Sequence, residues 1–223
     1  MNARRGPALR SAKREGGFTL IELLVVITII GILAALISSA VIGARKQAKK
    51  TAQMSEINSL KQAIGTYQST FGDYPPSTLE GWGVKMNPTN NGIEALVACL
   101  TTSKKGGPYI TSDQWRENRI TNLDADDAGK NLTSWWFGDT QLREFTDQWG
   151  NPLVYYHHRD YKSPKGLTEY SLENGATETC TPQQSGSLKV FHSPESFMIW
   201  SRGPNGKNED GSDEDEADDV HSW

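Results

Sequence analysis

Apolar and polar residues alternate along this chain in three regimes. The first is a run from Gly16 to Ala44 in which Glu22 is the only charge and Arg45 the next cation. A helix needs about 20 predominantly apolar residues to cross a hydrocarbon core, so the run predicts a membrane-spanning helix. The second regime starts at the basic segment 45–50. Ile57, Leu60, Ile64, Tyr67 and Phe71 follow at spacings of 3, 4, 3 and 4, which predicts a helix with one buried stripe. Glu56, Asn58, Lys61, Gln62 and Gln68 form its solvated face, and Gly72 with Pro75 and Pro76 ends it. Read as one helix, residues 18–71 would span about 80 Å. The third regime is mixed. Ile93, Leu96, Val97 and Leu100 predict a short second helix, and a Gly-Asn turn at 150–151 leads into β-formers at 153–156. Further strands are expected at Val190–His192 and Ser196–Trp200. This order predicts an α+β fold in which a small antiparallel sheet packs on the Ile57–Phe71 stripe.

Charge sharpens the first regime. Segment 1–15 carries Arg4, Arg5, Arg10, Lys13 and Arg14 against Glu15, and its loss would take the chain from −4 to −8. A basic segment before a span stays cytoplasmic and sends the rest across. Ser38-Ser39-Ala40 is a poor match to a secretory signal-peptide exit, so the apolar run should be retained. Glu22 lacks any cation within the run, and acids in spans usually have a partner.

Gly17-Phe18-Thr19-Leu20-Ile21-Glu22 resembles the processing motif of the type IV pilin-like superfamily, and of the type II secretion pseudopilins within it. The resemblance implies cleavage after Gly17 by a prepilin peptidase and N-methylation of Phe18. It further implies pairing of Glu22 with the new N-terminal amine of a neighbouring copy during assembly. Tyr74-Pro75, Gly92-Ile93 and Gly107-Pro108-Tyr109-Ile110 are similar to segments of the same family. So is Asp147-Gln148-Trp149-Gly150-Asn151-Pro152, with Gln148 and Leu153 replacing the usual Pro and Tyr. Ser39 stands where many members carry a helix-opening proline. The implied fold is a pilin-like lollipop: leader 1–17, transmembrane and filament-core helix 18–42, and head 43–223, with helix 43–71 and, near 111–145, a surface insertion with some packed tryptophans among Trp115, Trp135 and Trp136.

From Glu209 to Asp219 eight of eleven residues are acidic. By composition this reads either as a disordered acidic tail or as a set of hard oxygen ligands for Ca²⁺. Gly-Pro-Asn-Gly turn chemistry at 203–206 and the flanking Trp200 and Trp223 favour the second. The segment is also similar to the major pseudopilins' calcium loop. That similarity implies the Arg202 carbonyl, Asn205, Asp213, Asp215 and Asp218 as ligands, within an acidic calcium loop at 201–219.

Other patterns carry less. Asp124-x-Asp126-x-x-Gly129 begins like an EF-hand, but Trp135 stands where the twelfth-position Glu belongs, so a solvated loop is expected. Adjacent His157 and His158 should point apart on a strand, as surface residues. Cys99 and Cys180 allow a disulfide or two separate buried thiols. No nucleophile–base arrangement has a recognisable context, so no enzyme is expected. The mature charge of −8 argues against nucleic acid.

The resemblance thus implies a type II secretion major pseudopilin, anchored by a single pass in the inner membrane with its C-terminal domain in the periplasm. It would polymerise with itself and meet minor pseudopilins, inner-membrane assembly proteins and the prepilin peptidase/methyltransferase. The alternatives are a type IV pilin or minor pilin for adhesion, motility or DNA uptake, and a signal-anchored monomeric calcium-binding receptor.

Overall fold

The computed structural model describes residues 17–111, 115, 117–129, 137–208 and 218–223. The chain divides between Lys46 and Gln47 into two units. A single helix, α1 (Leu20–Phe71), supplies the described helical residues of the first unit and opens the second. It is the one helix among the described residues long and apolar enough to cross a membrane.

In the first unit the described large apolar side chains are exposed. Leu20 is 88 % exposed, and Ile27, Ile30, Ile32 and Leu36 are likewise open. An unpolarised apolar surface of this length is stable where lipid or other apolar helices replace water. The helical backbone continues through Ser39, the position at which the resemblance implies a helix-opening proline in other members.

In the second unit the α1 stripe is buried as its spacing predicts. Ile57, Leu60 and Ile64 are fully buried, Tyr67 nearly so, and Phe71 partly. Each fully buried aliphatic side chain contributes about 1.5–3 kcal/mol. Gln53 is buried on the same side, its Oε1 accepting the Gln148 N–H at 2.9 Å. Glu56 departs from the solvated face: it pairs with Arg119 and accepts from Gln148 Nε2. Gly72, at φ 85°, closes the helix by donating its N–H to Gln68.

The predicted short helix is α2 (Asn91–Thr101). The strands are β1 (Ile120–Thr121), β2 (Glu144–Phe145), β3 (Val154–His157), β4 (Glu169–Ser171), β5 (Thr177–Thr179), β6 (Phe197–Ser201) and β7 (Val220–His221). Among the described residues they form three small antiparallel sheets: β1-β2, β3-β6-β7 and β4-β5. The principal core joins the α1 stripe, α2 and β3-β6 through Tyr155, Tyr156, Trp200, Ile199 and Met198. β3 and β6 fall where the β-formers predicted them. Residues 190–192 form no strand; Phe191 makes only an isolated bridge to Gln184, and Leu188 and Val190 stay exposed.

The 111–145 segment carries a packed tryptophan, as expected, and adds further residues to the interior. Trp115 is buried against Phe145, with ring centroids 4.9 Å apart, and Ile120 joins the main core. Ala128 and Leu142 join Leu79, Val84, Ala95 and Ala98 in a second cluster. That cluster covers the back of α2, so all eleven α2 residues are buried. Trp135 and Trp136 lie outside the described residues. Cys99 and Cys180 are separate buried thiols.

Candidate functional site

At the start of α1, Thr19 is the capping residue. Its carbonyl accepts the Leu23 N–H at 3.2 Å, and its Oγ1 accepts the Glu22 N–H at 3.3 Å. Glu22 reaches back: its Oε2 accepts the Thr19 N–H at 2.9 Å and the Thr19 hydroxyl at 2.8 Å. This is a reciprocal capping box, which satisfies two helix-end donors. The Thr-x-x-Glu spacing at 19–22 was the available signal for it, hidden behind the larger question of a lone acid in an apolar run. Gly17 and Phe18 precede the helix in non-helical, exposed backbone, so the bond between them is accessible along the chain.

The second candidate region is the base of the acidic segment. β6 and β7 pair antiparallel, Ser201 opposite Val220 and Trp200 opposite His221. That pairing brings Arg202 and Asp219, the two ends of the acidic segment, next to one another. Trp223 meets Trp200 edge-on at 5.9 Å and stacks on His192 at 4.8 Å, so both flanking tryptophans do anchor the segment. The Arg202 side chain turns inward and is fully buried, its Nη2 donating to the carbonyls of Ser171 (2.7 Å) and Pro152 (3.3 Å). Asp147, also buried, accepts from Ser201 Oγ at 2.6 Å and from the N–H groups of Trp149 and Asn151. Burial pushes its carboxyl above the usual range, opposed by these donors and by Arg202.

Of the expected ligands, Asn205 holds a turn, its Oδ1 accepting the Lys207 N–H at 2.8 Å. Asp218 packs onto Gly203 so tightly that a Cβ there would stand 2.2 Å from its Oδ1, at a φ of 62°. Only glycine fits that approach. Asp213 and Asp215 lie outside the described residues. The oxygen donors that are described, on Asn205, Asp218 and the Arg202 carbonyl, are of the hard type that suits Ca²⁺.

Two expectations are corrected. His157 is not a surface residue: it is 3 % exposed and its ring stacks on His158 at 4.4 Å. The chain leaves the strand at His158, so the two rings do not diverge. His157 Nδ1 accepts the Arg159 N–H at 3.1 Å, which makes Nε2 the protonated nitrogen, 3.2 Å from Asp73. Burial lowers its pKa, with Asp73 acting in the opposite sense. Asp124 and Asp126 are not a solvated loop either. Both are half-buried over α2, and burial together with the neighbouring Asp124 and Asp127 pushes Asp126 up to about 7. Beneath them, Glu94 and Glu144 are fully buried, and burial raises both carboxyls. Glu94 was missed in the sequence because the apolar pattern of α2 left its position on a face expected to meet water.

A family model, the prokaryotic N-terminal methylation motif, matches residues 12–38, the span that holds Gly17, Phe18 and Glu22. The type II secretion system core protein G of Escherichia coli strain K12 is 32 % identical over 121 residues, covering 54 % of this chain and 72 % of that protein. Its namesake in Pseudomonas aeruginosa is 31 % identical over 144 residues, 64 % of this chain and 74 % of that protein. The type IV wide pilus major component of Thermus thermophilus is 35 % identical over 106 residues, 44 % and 79 % of the two chains. No solved structure matches this chain.

Proposed function

This chain belongs to the type II secretion system core protein G family, the pilin-like major pseudopilins, and from that premise we propose how it works as a structural subunit. The precursor is cut after Gly17, Phe18 becomes a methylated N-terminus, and the subunit polymerises into a periplasmic filament that drives protein export. The exposed apolar half of α1 anchors the subunit in the inner membrane before assembly and packs against its copies afterwards. The C-terminal domain lies in the periplasm. Its partners are further copies of itself, minor pseudopilins, the inner-membrane assembly proteins and the prepilin peptidase/methyltransferase.

The observation that carries this reading is the lone acid of the apolar run, set inside a matched methylation motif. Thr19 occupies only Oε2 of Glu22. A carboxylate offers about four acceptor sites, so Oε1 is available to a second partner. Cleavage before Phe18 leaves the Thr19 N–H in place, so the cap and an intersubunit pair with the new amine are compatible. Glu22→Gln separates the two roles, since Gln still caps but carries no charge. Processing should be unchanged and filament yield should collapse; filaments at wild-type yield would contradict the pairing.

The acidic segment is proposed to be a calcium loop. Asn205, Asp218 and the Arg202 carbonyl, with Asp213 and Asp215, would hold Ca²⁺, which supplies there the charge that lets so many acids lie together. The closed base formed by β6-β7 supports this assignment. Asp218→Asn should lower the calcium content of the purified chain.

A second reading, a type IV pilin, has the Thermus thermophilus relative in its favour. Copurification separates the two: a pseudopilin travels with secretion ATPase and secretin components, a pilin with its own pilus machinery.

A further inference from the structure

The acids at Asp124 and Asp126 sit over the back face of α2, and one oxygen from each lies within 4.8 Å of the other and of an oxygen of Glu94. Ca²⁺ takes oxygens at 2.3–2.6 Å, so ligands on opposite sides of one ion stand about 4.8 Å apart. The three carboxylates are therefore no farther apart than one ion allows. Mg²⁺ fits less well, because it demands a tighter octahedron and keeps several waters.

A second observation is independent of that spacing. Glu94 is 0 % exposed, and neither of its carboxylate oxygens receives a hydrogen bond from a donor. One buried oxygen of Asp124 and one of Asp126 are in the same condition. The donors nearby are spent elsewhere. Asn87 Nδ2 holds Asp124 by Oδ2 at 2.8 Å, while Glu144 takes Asn90 Nδ2 and the Leu123 N–H, each at 3.1 Å. The loop itself is fixed by Asn122, which bonds both the N–H and the carbonyl of Asp126. The remaining oxygens are left to one another, an arrangement strongly unfavourable for buried carboxylates without a cation or a shared proton.

We propose that Glu94, Asp124 and Asp126, with Glu144 alongside, form a site for a divalent oxygen-seeking cation, best suited to Ca²⁺, that fastens the 117–129 segment to α2. None of its residues belongs to the 202–219 segment, and the site stands whether or not that segment binds an ion.

The test is the calcium content of the full-length chain in detergent, measured by elemental analysis after equilibration with Ca²⁺ and removal of free ion. Glu94→Gln should retain one ion fewer than wild type, and adding Glu94→Gln to Asp218→Asn should remove one more ion than Asp218→Asn alone. If only the loop reading fails, Asp218→Asn matches wild type while Glu94→Gln still lacks its ion. Melting in chelator guards against a folding defect: Glu94→Gln should melt at or above wild type there, and should lose the calcium-induced rise that the Glu94 site contributes. Should Glu94→Gln not fold, Asp126→Asn in the half-buried loop should show the same missing ion. Calcium content equal to wild type in the folded variants would overturn the site and leave Glu94 as an acid that shares a proton with Glu144.

Discussion

Glu22 and Glu94 both interrupt apolar helical runs within a few residues of a helix start, yet their surroundings are opposite. Glu22, at the third position of α1, is exposed in the single chain and caps its own helix through Thr19. Glu94, in the first turn of α2, is fully buried and receives no donor. The difference lies in what covers each helix. The described side chains of the first unit's helix are exposed, and Thr19 takes only one oxygen of its acid, which on the proposed reading leaves the other for a partner from another copy. α2 packs against β2 and β3 and against Leu79, Val84, Ala128 and Leu142. Its acid must be neutralised where it is buried, by a bound cation or a shared proton. On the two proposals, each acid in an apolar run waits for a cation that the isolated chain does not supply.

That comparison can be broken most sharply by stability measurements on the two acids. In chelator, Glu94→Gln removes a carboxylate that no donor serves, and should stabilise the protein by about 2 kcal/mol. A loss of stability in chelator would mean that Glu94 already has an internal partner. At the other helix, Thr19→Ala removes the cap at a cost of about 1 kcal/mol. It should speed amide exchange over residues 20–23 roughly fivefold, leaving the second unit unchanged. Exchange unaffected by the substitution would show that the cap does not hold the start of α1.

The smallest effect concerns His157. The folded chain holds it neutral, because Nδ1 accepts the Arg159 N–H and burial lowers its pKa from 6.5. Below that value the unfolded chain binds the proton more readily, so the stability that His157 contributes falls as pH drops. Asp73 opposes the shift, so the slope should stay below the one-proton limit of about 1.4 kcal/mol per pH unit. The stability advantage of wild type over His157→Gln should narrow between pH 7.5 and 5.5. A constant difference would show that the histidine does not titrate differently on folding.

Where each helix packs also decides how much of it could be read in advance. The Ile57–Phe71 stripe was legible because a helix packed on one side writes its burial into 3- and 4-residue spacings. β3 and β6 were legible as runs of β-formers. β1, β2, β4 and β5, two or three residues long, are held by partners distant in sequence and leave too short a pattern. Glu94 was illegible because α2's second cover comes from Ala128 and Leu142, far along the chain in a segment that resembles no neighbouring motif. The methylation motif that spans Gly17, Phe18 and Glu22 was legible because a Gly-Phe pair, an acid and an apolar run coincide. The Thr19 cap was equally local, and was overlooked because one acid served two readings. For the acidic segment the sequence offers more carboxylates than a site needs, and the structure describes only its base.

The central claim is that Glu22 meets a cation made by cutting the chain. Mass spectrometry of the native membrane-associated protein tests this most directly. The account predicts a mature chain that begins with N-methylated Phe18. A native chain still beginning at Met1 would contradict it.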